Sequence, residues 1–383
     1  MKIVAIGDIH CHNWKDFSKT INVYWDDSVG RYKESEETEE FDIPMNSRLL
    51  NILNGLADVR DYCINNSVKL VLFAGDLFHA RGSVETTVYN STYKIFETFY
   101  QSGIEVIMVS GNHDQPMSMV HSESSLYPFN RLNQVITEPK MVTYSDGSEL
   151  LNIVCIPYSK DKKMNMEMIQ KMLTESDENA SKILLAHVGI SGGLVGSGNF
   201  VMSDEYNLNE LKAPKFKYCV FGHYHKPQVL EYNSIYAGSL IQNTFNDEGD
   251  KHGFWVLDTS KRWDMELVPL DYPEFITIKD KSYDRSVVNG NYIRIQANSS
   301  DVEDIMSDIE SDEVGMECSN NNMIRLEIEK DYDSNSRSGI SIVMSTEDII
   351  RTYVEENNDT GLPDEDLIKR GLSLFNSVTN RRD

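Results

Sequence analysis

Five short apolar runs, each broken off by a glycine-flanked cluster of histidine, aspartate or asparagine, constrain this 383-residue chain more than any other feature. The runs are Lys2 to Ile6, Lys69 to Ala74, Glu105 to Val109, Ile183 to Ala186 and Tyr218 to Phe221. Each is short and rich in Val, Ile, Leu or Phe, which reads as a strand buried on both faces. Stretches of helical period lie between them. Over Ser47 to Cys63, Leu49, Leu50, Leu53, Leu56, Val59 and Cys63 recur at three- and four-residue spacing. Ser83 to Tyr100 carries Val84, Val88, Thr92, Ile95, Phe96 and Phe99, with Ser83 as a capping candidate and Gly103 closing the segment. Strand, helix and strand in repetition imply an α/β layered core.

What ends each run carries the chemistry. The clusters are Gly7-Asp8-Ile9-His10, Gly75-Asp76-Leu77-Phe78-His79, Gly111-Asn112-His113-Asp114, Ala186-His187-Val188-Gly189 and Gly222-His223-Tyr224-His225. In an open α/β sheet the carboxyl ends of the strands converge on one rim, which would bring two Asp, one Asn and four His together. Imidazole nitrogens with carboxylate and amide oxygens, without thiolates, suit divalent ions such as Mn²⁺, Fe²⁺ or Zn²⁺. Seven ligands exceed what one ion with an open position takes, but suit two ions sharing a carboxylate. Two ions about 3.5–4 Å apart turn bound water into hydroxide near neutral pH and neutralise a phosphate oxygen during in-line displacement. A lone D-x-H or one buried His is commonplace; the full set in this order points to a metal-dependent phosphoesterase.

On these motifs the sequence resembles the calcineurin-like metallophosphoesterase superfamily, whose pattern is D-x-H, G-D, G-N-H-D/E, a later H, and G-H-x-H. The resemblance implies a core of two sheets flanked by helices. It assigns Asp8, His10, Asp76 and His225 to one ion and Asp76, Asn112, His187 and His223 to the other, with Asp76 bridging. His113 would stabilise the phosphate or protonate the leaving oxygen, with Asp114 orienting it. Gly75 to His79, Gly222 to Gln228, Tyr236 to Gln242 and Gly253-Phe254-Trp255 look more narrowly like the SbcD family of double-strand-break repair nucleases, its phage recombination-nuclease members included. That likeness covers most of residues 1 to 270. It implies Mn²⁺ as the ion of choice, 3′→5′ exonuclease action on duplex ends, single-strand endonuclease action, and a homodimer serving DNA repair and recombination. His79 would handle substrate, and Tyr224 and Lys226 are weaker candidates to touch DNA. Leu240 stands where the family commonly has Pro.

The chain divides into a nuclease domain over 1–271, a small α+β capping domain over 272–344 and a helix pair over 345–383. Tyr292 to Ala297 and Met323 to Ile328 alternate apolar and polar residues as half-buried strands do. Between them Val302, Ile305, Met306 and Ile309 support a helix. Thr346 to Glu356 and Pro363 to Val378 read as short helices joined by a turn at Gly361, too small to bury much surface alone. By resemblance this pair binds the coiled coil of an SbcC-type, SMC-like ATPase. Asp26 to Asp42, with eight acidic and two basic residues before Pro44, reads as a solvated loop or insertion. The four methionines Met164, Met166, Met168 and Met172 read as adaptable core packing.

A net charge of −25 excludes a self-sufficient basic DNA binder. It does not exclude a nuclease, because about half of it lies after residue 272 and much of the rest in the Asp26 to Asp42 segment. Two divalent ions beside Asp8 and Asp76 would leave a local positive focus for one phosphate. No run is long and apolar enough for a membrane span, and the first residues do not make a signal peptide. Cys11, Cys63, Cys155, Cys219 and Cys318 are scattered without C-x-x-C spacing, so no disulfide framework is expected, and a cytoplasmic setting is (the host's, if phage-encoded). Cys11, His12, His121 and His252 read as bystanders. Two other functions fit the motifs less well. The first is a phosphatase for small molecules or proteins, of which the protein phosphatases usually carry G-N-H-E and an Arg-rich segment where Asp114 and Leu77-Phe78-His79 stand here; the second, a non-enzymatic recruiting subunit, would lack ligand positions.

Overall fold

The computed structural model describes residues 1–36, 42–116, 123–196, 200–201, 205–261, 264–320, 323–328, 346–357 and 362–379. All five apolar runs fold as strands: Lys2–Ile6, Leu70–Phe73, Glu105–Val109, Ser181–His187 and Tyr218–Gly222. They divide between two six-stranded sheets. In the first, Asp264–Pro269, Gly253–Asp258, Lys2–Ile6, Leu70–Phe73, Glu105–Val109 and Gln134–Ile136 lie side by side in that order. In the second the order is Gln228–Leu230, Ser234–Tyr236, Tyr218–Gly222, Ser181–His187, Leu150–Ile156 and Lys140–Ser145. The motif-bearing strands pair in parallel, and the antiparallel strands lie toward the edges.

Alternation along each strand assigns the layers. On Lys2–Ile6, Ile3 and Ala5 join one core with Ile153, Leu185 and Val220 of the other sheet. Val4 and Ile6 instead join a core with Leu53 and Phe96 of the helices Ser47–Asn65 and Thr86–Gln101. Ile156, Leu184 and Phe221 complete the far side of the second sheet with Ile169 and Met172 of the helix Lys162–Glu175. The order is helices, sheet, sheet, helix, the α/β layering expected. Each buried Val, Leu, Ile or Phe side chain contributes about 1.5–3 kcal/mol. Strand interiors are therefore committed to packing, and polar chemistry is confined to strand ends.

Local structure departs from the sequence reading in places. The second long helix starts at Thr86 rather than Ser83, and its cap residue Glu85 makes no side-chain cap bond. The acidic segment is not simply a solvated loop: Thr20–Asp26, Arg31–Glu34 and Ile43–Asn46 form a three-stranded antiparallel sheet. Val23, Tyr32 and Met45 are buried in the core shared with Ser47–Asn65. Arg31 bonds Asp58 and Asp61 of that helix at 2.9 and 2.6 Å. These apolar and cationic residues, outnumbered by acids in the sequence, anchor the sheet; residues 37–41 lie outside the described residues.

Further along, Phe275–Ile278, Tyr292–Ala297 and Ile324–Ile328 pair in parallel and pack with the helices Ser299–Ile309 and Glu313–Asn320. Phe275 and Tyr292 meet Phe17 of the core in an aromatic cluster. Thr346–Asn357 and Asp364–Thr379 pack on each other; the turn at Gly361 lies outside the described residues, as does His121. All five cysteines are buried free thiols. Among the described residues no helix is long and apolar enough to cross a membrane.

Candidate metal centre

Parallel pairing sets strand ends level: Ile6 lies opposite Phe73, Phe73 opposite Met108, and His187 opposite Gly222. The chain then turns sharply. Asp8, His10 and Asp76 hold φ of 48°, 51° and 58°, and His223 holds 111°, conformations unfavourable for non-glycine residues. Backbone bonds between loops hold them there. Asp8 N–H donates to the Gly75 carbonyl at 2.9 Å, His10 N–H to that of Asp76 at 3.0 Å, and Cys11 N–H to that of Leu77 at 2.8 Å. The loops approach so closely that a Cβ on Gly75 would lie 2.5 Å from His187 Nδ1, and one on Gly111 would overlap the Asp76 carboxylate.

The seven candidate ligands meet on this rim. Ligand atoms of Asp8, His10 and His225 lie within 4.8 Å of one another, as do those of Asp8, Asp76 and His187. Asp76 Oδ2 lies between the two sets, 3.7 Å from His10 Nε2 and 3.5 Å from His187 Nε2. Asn112 Oδ1 is 2.9 Å from His187 Nε2 and 3.1 Å from His223 Nδ1. Asp8 thus neighbours both sets, where the sequence reading gave it to one.

The donor set fits cations. His187 Nδ1 lies 2.7 Å from the Ala74 carbonyl; a carbonyl only accepts, so the proton is on Nδ1 and Nε2 offers a lone pair. That lone pair, Asn112 Oδ1 and Asp76 Oδ2 converge without a proton among them. Both ring nitrogens of buried His10 are unpartnered among the described residues. Such convergence of buried acceptors is costly unless a cation resolves it, and the mixture of imidazole nitrogen and carboxylate or amide oxygen suits two borderline divalent ions.

Burial sets the protonation states. It lowers His187 and His223 to about 3 and holds His10 and His225 below their ordinary value, so these imidazoles are neutral ligands at pH 7. It raises Asp76 to about 6, and raises Asp8 well above the carboxylate range, with the neighbouring Asp76 charge adding to the effect.

His113 stands beside the ligands. Its backbone N–H donates to Asp76 Oδ1 at 2.8 Å, and its ring meets His10 edge-on at 4.8 Å between centroids. The His79 carbonyl holds its Nδ1 at 2.6 Å, leaving Nε2 as the uncommitted nitrogen. The expectation that Asp114 orients this ring is corrected. The Asp114 carboxylate instead accepts from Asp76, Leu77 and Gly111 N–H groups at 2.8, 3.0 and 2.9 Å, so it fixes the two loops rather than the imidazole. His79 lies 5.1 Å from the His113 ring, and burial lowers it to about 4.

Two rim residues were not singled out from sequence. Tyr158 stacks on His223 with centroids 5.9 Å apart; it follows the strand Leu150–Ile156, whose end carries no metal-type residue. The exposed Arg81 adds a minor electrostatic effect at Asp76, His79 and His223, behind burial and the neighbouring histidines; its only sequence signal was its place just past the second motif. Cys11 is bridged to Phe78, His12 stacks on Trp14, and His252 Nδ1 lies 2.9 Å from Ser239 Oγ.

Residues 1–227 match the family model described as calcineurin-like phosphoesterase. The chain is 28% identical over 248 residues to the DNA double-strand break repair protein Mre11 of Methanocaldococcus jannaschii, across 59% of this chain and 64% of that one. It is 23% identical over 232 residues to the SbcD component of nuclease SbcCD from Staphylococcus epidermidis, across 53% and 59%. The chain therefore spans less than two thirds of either relative's length. Among solved structures, a dimetal phosphatase from Danio rerio aligns with a TM-score of 0.38 and 11% identity, across 67% of this chain and 91% of that one.

Proposed function

The chain belongs to the calcineurin-like phosphoesterase family, and from that premise we propose that it is the nuclease subunit of a DNA repair and recombination complex. It hydrolyses phosphodiester bonds with two divalent ions, Mn²⁺ foremost. The observation that carries the reading is the rim itself: seven ligands in two sets about Asp76, with His113 beside them. The printed names of two relatives, a double-strand break repair protein and a nuclease component, support the substrate class.

In this reading Asp8, His10, Asp76 and His225 hold one ion and Asp76, Asn112, His187 and His223 the other. When bound, the ions supply an activated water and charge neutralisation at the phosphate. The protein's own residues do the rest. Asp114 and the Gly75 and Gly111 turns keep the ligand loops in register. The His79 carbonyl accepts from His113 Nδ1 and presents the ring, which as the doubly protonated imidazolium would donate from Nε2 to the phosphate or to the leaving oxygen. His79 itself helps handle substrate, and the Arg81 guanidinium attracts the approaching backbone. The action is 3′→5′ on duplex ends and endonucleolytic on single strands. Residues 1–271 form the nuclease domain and 272–344 a cap. Segment 345–383 docks an SbcC-type ATPase, and the subunit works in the cytoplasm as a homodimer.

Purified protein with Mn²⁺ is expected to degrade a linear duplex. His113→Ala abolishes this while both ions, counted by elemental analysis, stay bound. Hydrolysis of p-nitrophenyl phosphates without DNA cleavage would replace the nuclease reading with a phosphatase.

A further inference from the structure

The two ligand sets draw unequally on the two sheets. Asp8, His10, Asp76 and Asn112 follow strands of the first sheet, whereas His187, His223 and His225 stand at strand ends of the second. The set of Asp8, His10 and His225, joined by Asp76, therefore takes a single member from the second sheet. Such a site closes only if His225 is held in register with the opposite sheet. His187 and His223 each bond the loops of the first sheet directly. His187 Nδ1 lies 2.7 Å from the Ala74 carbonyl, and the His223 backbone N–H donates to Asp8 Oδ1 at 2.9 Å.

The His225 backbone is joined through an intermediary. Its carbonyl accepts from Ser239 N–H at 2.9 Å, in the turn after the strand Ser234–Tyr236. Gly238, at φ 67°, lets this turn press on the same segment, since a Cβ there would lie 2.5 Å from Pro227 N. Ser239 in turn meets His252, which directly precedes the first-sheet strand Gly253–Asp258. His252 Nδ1 lies 3.0 Å from the Ser239 carbonyl and 2.9 Å from Ser239 Oγ. A carbonyl only accepts, so the proton is on Nδ1 and is shared by both oxygens, while the Ser239 hydroxyl donates to the Ile241 carbonyl at 2.9 Å. His252 is itself fixed. Its carbonyl accepts from Leu270 N–H at 3.0 Å, and the strand it opens pairs with Lys2–Ile6, which leads to Asp8. A second link, Lys226 Nζ to Asp250 at 2.6 Å, joins the same two segments. Ser239 and His252 are both buried, so neither meets substrate.

We propose that His252 and Ser239 are positioning residues for His225, linking the first sheet to the one ligand that its metal set takes from the second. The proposal rests on the two-ion reading and goes beyond it, because neither residue belongs to the ligand motifs. His252, a bystander by sequence, then controls the affinity of one ion and not of the other.

Mn²⁺ binding to the full metal-free chain, followed by titration calorimetry and by the EPR signal of free Mn²⁺, tests this without recourse to activity. The wild type is expected to bind two ions, with His225→Ala and His187→Ala marking which step belongs to which set. His252→Gln, whose amide nitrogen stands where Nε2 does and leaves Ser239 unbonded, is expected to weaken the His225 step by about 10–100-fold and to spare the His187 step. His252→Asn, whose amide nitrogen stands where Nδ1 does, is expected to restore the His225 step to near the wild-type value. Ser239→Ala removes one of the two oxygens that share the proton and is expected to weaken the same step by a smaller factor. Equal weakening of both steps, or glutamine and asparagine variants that behave alike, overturns the proposal. Should the His252 variants not fold, unaltered binding in Ser239→Ala overturns it as well. Fewer than two ions in the wild type would instead sink the two-ion reading, whereas two ions bound as tightly in every His252 and Ser239 variant as in the wild type would sink the positioning link alone.

Discussion

The metal rim and the terminal helix pair are built on opposite principles. On the rim, loops from strands far apart in sequence are bonded to one another through backbone groups, and Asp8 and Asp76 are held at positive φ by those bonds. The helices Thr346–Asn357 and Asp364–Thr379 instead pack locally on each other, with Gly371 facing Ile350 and Ile368 buried. The rim is over-determined and intolerant of change. The helix pair is a local unit, two neighbouring helices joined by a short connection.

That contrast breaks if damage to the rim is mild. Asp76 lies between both ligand sets, so Asp76→Ala is expected to remove both ions and lower bis(p-nitrophenyl) phosphate hydrolysis by about 10³-fold or more. Retention of two ions per chain by elemental analysis would refute the bridging role. Gly111→Ala drives a methyl into the Asp76 carboxylate; activity should drop by about 10²-fold, as for a small misplacement of catalytic groups, with kcat suffering more than KM. Asp114→Asn keeps the shape but weakens the bonds to four loop N–H groups. The expected loss is about 10–100-fold in metal affinity or rate, and wild-type titration curves for Mn²⁺ would argue against it.

The rim also leaves a signature in acid. His10, His79, His187, His223 and His225 have lowered pKa values, so the unfolded chain takes up protons that these folded imidazoles refuse. Stability is lost as pH falls from about 6.5, the unfolded value, toward the folded values, about 3 for His187 and His223 and about 4 for His79, with His10 and His225 shifted in the same direction. Asp8, Asp76 and Asp114, raised by burial, act in the opposite sense as they gain protons first in the folded state, but they are fewer. In chelator, the melting temperature should therefore decrease from pH 7 to pH 5; an increase would show that the carboxylates dominate. The smallest effect on chemistry belongs to the helix pair. Deleting 346–383 should leave hydrolysis of bis(p-nitrophenyl) phosphate near the wild-type rate and abolish co-purification with the ATPase. Unchanged association would remove the docking role.

The layered core was legible because burial imposes a period on the sequence, and the candidate ligands were legible because each lies at, or within a few residues of, the end of an apolar strand. Asp114 was legible as important but not in its role: a carboxylate next to His113 in sequence turned out to serve the backbone of residues 76, 77 and 111. The three-stranded sheet of residues 20–46 was hidden by its acidic composition, since a few residues such as Val23, Tyr32 and Arg31 hold it.

By itself the sequence determined which residue types stand at strand ends, hence the layered α/β class and the divalent-metal phosphoester chemistry. Those features are local, written in side-chain identity and in the periods of strand and helix. Tertiary structure alone decided that Asp8 neighbours both ligand sets, that Asp114 binds loops rather than a ring, and that His252 meets Ser239 beside His225. Such juxtapositions depend on strand order and on which loops the sheets bring together, and no local pattern along the chain encodes those.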